Sequence, residues 1–551
     1  EPEWPEQGAS RGRWRPAGLC ALAVVGVGLA AAALFVGRRR GRGAAGGAVA
    51  VDLVCVFQEN VLFTLIMVDA LDLSVGIGQD AAFSGFLIGA HKFGTGLGSL
   101  LLWLLLLYSP ELWRRGRVAV AAGVLLQLAG AIAFGLLGLS SRGESAVVPP
   151  GVAAPALCLS RALQGVGGGL QLALASNHIA RLVPKSERVP ENMNFFLAAC
   201  LGLALGPLFA SLAKLAVGAL PCGQPGSLLD AVLVVNMVLP FVQLSCLLAY
   251  PSLNGAEDQH SQGREDSESL AVPIAPTWRV VVIFSCVLIQ IIRNFSVSSL
   301  EAALTLLLEA QYQWSPTWVG PAVALVLSSC LWLKLAYDAC RGWASTTTWL
   351  RIMIGIALVG ALLLLPLPSS RPGGWAGGWQ ELLPLGSGAR PELRLLLGSS
   401  LLFPALALSS GLIMGTLQEH VFQGDSFLNL NTATLLTLVG ADLLGRGLGP
   451  PAARGAVEAG GQGLFALHQI GAGVLALLVH ELLVLAARPS AAARRKAAAA
   501  TGMAELLLFA GPEAAEWRPR EEAAEGSQEL PGKTYELVPG LLKGEPLKPL
   551  H

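Results

Sequence analysis

Twelve long apolar stretches follow one another from residue 50 onward, and they limit the folds open to this chain more than any other feature. Each is roughly 20 residues or longer, the length of helix that crosses the hydrocarbon core of a bilayer. Only helices and closed barrels satisfy their own backbone hydrogen bonds in lipid, and unbroken apolar runs of this length favour helices. The sequence therefore predicts an all-α polytopic membrane protein with spans near 51–71, 81–108, 118–139, 152–175, 193–218, 227–250, 278–309, 317–339, 346–367, 394–417, 427–450 and 463–487.

The composition agrees with a chain that lies mostly in lipid. Apolar residues make up 53% of the sequence and charged residues only 13%, whereas a soluble domain carries about 25% charged residues. The formal net charge is zero, so the chain has no overall field that would recruit nucleic acid. We expect the lipid bilayer to be its surroundings and expect no nucleic-acid partner.

No pattern in the sequence indicates an enzyme, a metal site or a cofactor. The nine cysteines include no C-x-x-C pair, so neither a zinc site nor a disulfide framework is indicated. The phosphate-binding G-x-x-x-x-G-K-[ST] loop, the metalloprotease H-E-x-x-H and the hydrolase G-x-S-x-G are all absent from the sequence. An ATP-driven pump and an integral-membrane enzyme are therefore disfavoured.

Residues 158–218 contain the most specific pattern in the chain. Two apolar runs are joined by a short basic loop, in which we place His178, Arg181, Lys185 and Arg188. Glycine on a membrane helix lets a second backbone approach closely, and an internal proline kinks the helix. The two runs together carry Arg161, Gln164, Gly165, Gly167, Gly169, Gly202, Gly206 and Pro207.

The order R-x-L-x-G-x-G-x-G, basic loop, G-x-x-x-G-P resembles helices four and five of carriers of the major facilitator superfamily (MFS). That resemblance implies a bundle of twelve helices in two six-helix halves, related as parallel repeats about an axis along the membrane normal. A similar Gly449-Pro450 element lies near the predicted end of the eleventh span, the position that corresponds to helix five. Residues 158–218 are most similar to the MFS branch that includes the lysosomal ceroid-lipofuscinosis-type carriers.

The loop after the second span departs from the MFS pattern. The family's G-x-x-x-D-R-x-G-R-R/K motif implies an aspartate and arginines that latch the cytoplasmic face. Here Arg114, Arg115 and Arg117 form a basic turn, but the aspartate is missing and Glu111 is a poor substitute. We therefore expect the gate to be held in a different way.

Changes in composition divide the chain into five parts. Residues 1–50 form an N-terminal segment in which 17–37 is a further candidate span; it is either an anchor or a signal peptide, and the arginines after it favour an anchor. Residues 51–250 and 278–487 form the two halves. The polar stretch 251–277 reads as a flexible linker and 488–551 as a tail.

Basic residues in the loops predict the orientation of the bundle. They concentrate after the second and fourth predicted spans, so we expect these loops, the linker and the tail to be cytoplasmic. The sequence does not distinguish the plasma membrane from an endolysosomal or vacuolar membrane.

Ionisable side chains inside a span are costly in lipid and mark a functional pathway by default. Three of the four spans that line the cavity of MFS carriers, the first, fourth and seventh, carry such groups. We predict a substrate or proton pathway formed by Glu59, Asn60, Asp69, His91, Lys92, Arg161, Gln164, Arg293, Asn294 and Glu301.

Several pairings within this set are expected. Glu59 and Glu301 are the candidate proton carriers, and Arg161 is expected to bind an anionic substrate or to pair with Glu59 or Asp69. Asp442 and Arg446 are four residues apart and are expected to form an ion pair within their helix. We place Gln418, Glu419 and His420 in a loop, and we expect Glu309 to reach the membrane interface rather than the cavity.

The sequence thus predicts a secondary transporter that moves a small solute by alternating access and is coupled to protons. The alternative is a polytopic receptor or scaffold that keeps an MFS-like fold without transport. The sequence does not name the substrate.

Overall fold

The computed structural model describes residues 43–141, 147–218, 227–253, 276–366, 391–422 and 426–487. These residues form twelve long helices, and the part of the chain so described contains no strand beyond one isolated bridge between Phe422 and Asn429. The candidate span 17–37, nearly all of the predicted linker and the tail 488–551 lie outside the described residues.

The first half of the bundle consists of six helices. They are α1 (Gly43–Leu65), α2 (Ala81–Tyr108), α3 (Gly116–Ser140), α4 (Pro150–Leu182), α5 (Arg188–Gly218) and α6 (Ser227–Cys246). A seven-residue helix, Ala70–Gly76, follows α1. The first helix therefore begins eight residues earlier than the predicted span 51–71, and it ends at Leu65.

The second half repeats this count. Its helices are α7 (Pro276–Leu306), α8 (Pro316–Ser328 continued by Cys330–Cys340), α9 (Thr346–Leu363), α10 (Pro391–His420), α11 and α12. Helix α11 runs through Leu430–Gly440, a π-helical turn Ala441–Arg446 and residues 449–459; α12 comprises 462–486. Gly460 and Gly461, the latter with φ 61°, break the helix between them.

The Gly460–Gly461 break reverses the chain. Gln462, at the start of α12, donates to the Leu364 carbonyl at 2.7 Å, just beyond the end of α9. His480, near the end of α12, lies 2.9 Å from the carbonyl of Thr347 at the start of α9. Helix α12 is therefore antiparallel to α9. Only glycine adopts the φ and ψ of Gly461 readily, which is why the reversal needs no longer loop.

Within the described residues, nine segments are long and apolar enough to cross a membrane, with Leu430–Ala486 counted once. Helix α4 is not among the nine, and it buries several polar side chains, including Arg161, Gln164 and His178. Its position between α2 and α3 explains how a polar helix is tolerated, because these side chains face other helices and not lipid.

Three sequence-based placements are wrong. His178 and Arg181 lie inside α4, which continues to Leu182, and Arg188 begins α5, so of the four predicted loop residues only Lys185 lies in the connecting turn. Gly449-Pro450 lies in the middle of α11 and not at its end, because the helix continues to residue 459. Gln418 to His420 form the last turn of α10, where buried Gln418 accepts a hydrogen bond from Asn192 of α5 at 2.9 Å.

Glycines set how closely the helices approach. A β-carbon on Gly165 or Gly169 of α4 would collide with backbone carbonyls of α2, and one on Gly167 would collide with the backbone of α3. The packing role of these three glycines stays a prediction, and these contacts are the close approaches that it requires. Without water to drive association, membrane helices gain their attraction from such close backbone packing.

The Gly-x-x-x-Gly-Pro element occurs once in each half and makes the same contact. Gly202 and Gly206 of α5 pack on the backbone of α1, and Gly445 and Gly449 of α11 pack on the backbone of α7. The proline or prolines that follow each of these elements contact a helix of the opposite half. Gly320 of α8 lies against Pro207, and Gly85 of α2 lies against Pro450 and Pro451. The two halves are therefore joined by two related contacts, α5 with α8 and α11 with α2.

Gly169→Ala should destabilise the protein by about 1–3 kcal/mol, because the new methyl group would overlap the Thr95 carbonyl and force α2 and α4 apart. The same substitution at Gly355, which has no other atom within 4 Å of an added β-carbon, should be neutral or stabilise by up to about 1 kcal/mol. Thermal unfolding of both purified variants in detergent measures the difference. Equal midpoints would contradict the packing role of Gly169.

Candidate functional site

A cavity lies at the interface between the two halves, near the middle of the helices. Its water-sized space is about 30 Å³, enough for one or two water molecules. The polar groups that line it come from α1, α7 and α11, and they are Asn60, Gln290, Arg293, Asn294, Asp442 and Arg446. The apolar lining comes mainly from α5, with Phe195, Phe196, Ala199, Cys200 and Leu203, and from Leu172, Val297, Ala407, Leu438 and Ala441.

Contacts between the halves close the cavity towards both ends of the bundle. At the end that carries the α2–α3 and α4–α5 loops, Asn177 bonds to Asn431, and Trp103 Nε1 donates to Thr432 at 3.4 Å. At the opposite end, fully buried Arg454 of α11 bonds to Ser84 of α2. The conformation is therefore occluded.

A fully buried carboxylate, Glu59 of α1, is held by donors from two other helices. His91 Nε2 lies 3.0 Å and Lys92 Nζ 3.0 Å from Oε1, and Gln127 Nε2 donates to Oε2 at 2.8 Å. Gly168 of α4 leaves room for the carboxylate, since a β-carbon there would overlap it. This Glu59 cluster ties α1, α2 and α3 together and satisfies a charge that lipid could not solvate.

The Glu59 cluster is linked to the second half through Asn60. The Asn60 amide oxygen lies 3.4 Å from Lys92 Nζ and 3.4 Å from Arg446 NH1. Arg446 also pairs with Glu301 of α7 at 3.2 Å. One connected set of charges, Glu59, Lys92, Arg446 and Glu301, therefore runs from α1 to α7 beside the cavity. Within this set of residues, the hydrogen bond that crosses between the halves is the one that Arg446 donates to the Asn60 amide oxygen.

This arrangement corrects the expected partner of Arg446. We predicted an ion pair with Asp442 in the same helix, but the π-helical turn of α11 directs Arg446 to Glu301 and Asn60. Asp442 lines the cavity and is only 4% exposed. Among the described residues, no side chain donates a hydrogen bond to its carboxylate.

Three polar residues of α7 face the same side at spacings of three and four residues. Arg293 Nε donates to the Leu406 carbonyl of α10 at 2.5 Å, and its NH1 donates to Ser410 Oγ at 3.0 Å. Gln290 donates to the same Ser410 at 2.5 Å. Asn294 also lines the cavity. The side chain of Arg293 is thus buried in the cavity wall.

Not all of the predicted residues converge here. Arg161 donates to Gln164 at 2.6 Å and to the Phe63 carbonyl at 3.0 Å, and Gln164 donates to Asn236 of α6 at 3.1 Å. The expected pairing of Arg161 with Glu59 or Asp69 is wrong: these groups lie inside the first half, away from the cavity lining. Asp69 instead pairs with Lys214 of α5.

The basic turn after α2 forms an exposed ion pair within itself. Arg114 pairs with Glu111 at 2.6 Å, and both side chains are well exposed. Arg115 and Arg117 flank Gly116, which begins α3. The exposed pair is worth little energy, so it does not replace the missing aspartate latch.

Sequence reasoning missed a second buried cluster at this end of the bundle. His178 Nδ1 lies 2.6 Å from Asp52 of α1, its Nε2 lies 2.8 Å from the Trp113 carbonyl, and Tyr250 donates to Asp52 at 3.0 Å. Acceptors at both ring nitrogens require both to carry hydrogen, so this geometry fits the imidazolium form. Asp52 was overlooked because it lies at the edge of the predicted span, although the rule for charged residues in spans applies to it.

The described residues contain no group of three or more His, Cys, Asp or Glu side chains arranged to hold a metal ion. The Glu59 cluster combines one carboxylate with ammonium, imidazole and amide donors, which is a hydrogen-bonding set and not a ligand set.

Comparison with solved structures identifies the fold. The xylose transporter XylE from E. coli, in a partially occluded inward-open conformation, matches with a TM-score of 0.55 and 16% identity, over 79% of this chain and 96% of that one. A D-xylose-proton symporter gives the same values. The MFS proton:xylose symporter XylE bound to 6-bromo-6-deoxy-D-glucose matches with a TM-score of 0.54 and 15% identity, over 81% of this chain and 99% of that one.

These similarities confirm the predicted fold, an all-α MFS-type bundle of two six-helix halves. At this level of identity they show the fold alone. No family model matches the sequence, and no curated protein sequence matches it either.

Lys92→Met should destabilise the protein by about 3–5 kcal/mol, because it leaves the Glu59 carboxylate buried without its cation. The double variant Lys92→Met/Glu59→Gln should recover much of that loss. Unfolding in detergent with increasing denaturant measures the three free energies.

The exposed pair Arg351 and Glu481 provides the control, since its side chains are 51% and 44% accessible. The corresponding Arg351→Met and Glu481→Gln changes should cost less than about 1 kcal/mol each. A double variant Lys92→Met/Glu59→Gln that is no more stable than Lys92→Met alone would contradict a coupled buried pair.

Proposed function

We propose that this chain is a secondary active transporter that moves a small solute by alternating access, coupled to protons. One observation carries the proposal. A polar, charged cavity lies at the interface of the two halves and is closed towards both ends by contacts between them. Carriers of this fold place their substrate site at the midplane between the halves.

Movement of the halves would separate a small number of polar contacts. Asn60 belongs to the first half and Arg446 to the second, so rocking would break their 3.4 Å contact. Arg446 and Glu301 lie in the same half and would move together. Opening towards either side would therefore leave Arg446 with Glu301 as its remaining side-chain partner among the described residues.

A proton on Glu301 would weaken the ion pair between Glu301 and Arg446. The carboxylate receives one hydrogen bond, from Arg446, and its Oε2 has no partner among the described residues. Protonation would remove the negative charge that holds Arg446 and free the guanidinium to turn towards the cavity. Glu59, with donors from His91, Lys92 and Gln127, is better suited to hold the first half together. We therefore assign coupling to Glu301 rather than Glu59.

The fold likeness supports the same class of function. The solved structures with a similar fold are a xylose transporter and a D-xylose-proton symporter. We extend proton coupling and a small-molecule substrate from them to this chain as part of the proposal. The plasma membrane and an endolysosomal or vacuolar membrane remain the two predicted locations, and similarity to the lysosomal branch remains a prediction from residues 158–218.

Glu301→Gln should abolish proton movement driven by solute in proteoliposomes, while exchange of solute across the membrane persists. The glutamine amide can still accept the hydrogen bond from Arg446, but it cannot bind and release a proton. A pH-sensitive dye in the vesicle lumen and radiolabelled solutes from several classes measure the two processes. Asp338→Asn, in a pair outside the cavity with Lys334, is the matched control and should behave as wild type.

Equal proton movement in Glu301→Gln and wild type would contradict the assignment of coupling to Glu301. If folded wild-type protein moved no solute of any class, the proposal of transport would fail, and a receptor or scaffold with this fold would be favoured.

A further inference from the structure

The charges around the cavity can be paired one by one, and two are left over. Glu59 pairs with Lys92 at 3.0 Å, and Glu301 pairs with Arg446 at 3.2 Å. Arg293 and Asp442 line the same cavity, and within the described part of the chain neither forms an ion pair. The site thus presents one unmatched cation and one unmatched anion.

Asp442 is the stronger sign of a ligand. Its side chain is 4% exposed, lines the cavity and receives no hydrogen bond from a described side chain. The amide oxygen of Gln290, a residue of α7 that also lines the cavity, is likewise buried without a hydrogen-bond partner among the described residues. Burying an acceptor without a donor costs on the order of 1–3 kcal/mol, and more for a charged one. The cavity therefore calls for a ligand that brings N–H donors, and a carboxylate is best matched by an ammonium group.

Arg293 requires a negatively charged group on the ligand. Its Nε and NH1 are fixed by the Leu406 carbonyl and Ser410 of α10, and its guanidinium lies 5.5 Å from the centre of the Phe196 ring. Neither anchor neutralises the charge. A guanidinium fixed in this way is preorganised for a carboxylate, because the cost of orienting it is already met by the protein.

The wall contributed by α5 is apolar. Phe195, Phe196, Ala199 and Leu203 face the charged residues of α7 and α11 across the cavity. The two phenylalanine rings pack edge to face, with centroids 4.9 Å apart. A ligand that satisfies both walls has a charged end and an apolar end.

From these observations we infer that the cavity binds a small zwitterion with an apolar substituent, an apolar α-amino acid in its chemical class. Its ammonium group faces Asp442 and Gln290, its carboxylate faces Arg293, and its side chain lies against the α5 wall. A zwitterion matches both charges and leaves the net charge of the site unchanged, whereas a simple cation or anion would leave the opposite charge buried and unpaired. This inference rests on the proposed function and specifies its substrate.

The occluded conformation is consistent with this ligand only if the halves separate to admit it. The present space of about 30 Å³ is too small for an amino acid. Binding would therefore require the halves to move apart around the cavity, and it would be seen as a shift of the protein away from the present conformation.

The test uses ligand analogues first, so that it does not depend on a variant folding. Full-length wild-type protein is reconstituted in liposomes and exposed to L-leucine, L-leucinamide, which lacks the carboxylate, 4-methylpentanoate, which lacks the ammonium group, and D-xylose. L-Leucine should be taken up, and each of the two analogues should compete at least tenfold more weakly. D-Xylose should not compete.

Two variants of the cavity should then change which of the ligands binds best. Asp442→Asn should weaken L-leucine binding at least tenfold and make 4-methylpentanoate the better ligand, because Arg293 becomes the one unmatched charge. Arg293→Gln should reverse the preference towards L-leucinamide. Asp338→Asn should leave the order of ligands as in wild type. A variant that merely lost stability would lower all uptake without changing this order.

The failures of this inference and of the proposed function are distinguishable. Transport of D-xylose or another solute without both charges, unaffected by L-leucine, would overturn the inference and leave the transporter proposal standing. Equal competition by L-leucine and both analogues would overturn it as well. Absence of transport for every class of solute would overturn both.

Discussion

Most charges that the structure describes in the middle of this bundle are paired with another group of the protein, because the surrounding lipid offers neither water nor counterions. That constraint explains why the polar side chains form continuous clusters. Glu59 gathers donors from α2 and α3, and Arg446 reaches both Glu301 and Asn60. A change at one position alters the electrostatic balance of its neighbours, so the central residues act as one unit and not as separate sites.

Close backbone packing makes these clusters possible. Gly168 sits where any side chain would displace the Glu59 carboxylate, and Gly165 and Gly169 bring α4 against α2. The same logic is repeated in the second half, where Gly445 and Gly449 bring α11 against α7. Each half thus uses glycine to position the helix that carries its central charges. The two proline-containing contacts between halves, at Gly85 and Gly320, then lie at equivalent places.

The fold followed from the sequence to a large extent, because length and hydrophobicity alone decide whether a helix can span a membrane. The positions of the helix ends were harder to predict from the sequence. His178 was assigned to a loop because it stands beside basic residues, although a carboxylate 126 positions earlier in the chain holds it inside α4. A partner so distant in sequence leaves no local signal.

The site was predicted in part for the same reason. Glu59, Arg293 and Glu301 could be recognised as charges that lipid would not tolerate, and the structure places all three at or beside the cavity. The partner of Arg446 could not be recognised, because an i, i+4 carboxylate is the usual choice on a regular helix and the helix here is not regular. Likewise, Arg161 was predicted to belong to the cavity because it is a charged residue of the fourth span. Its side chain instead bonds to the Phe63 carbonyl inside the first half.

The irregular turn of α11 has a mechanical consequence. Residues Ala441–Arg446 wind more loosely than an α-helix, which amounts to one residue in excess of the regular register. Turns of this kind are rare and are found frequently at functional sites. One extra residue rotates the side chains that follow it by about 100° around the helix axis, relative to an uninterrupted α-helix. The π-helical turn, which carries Asp442 and Arg446 of the cavity lining, thus also sets the orientation in which Pro450 and Pro451 meet α2.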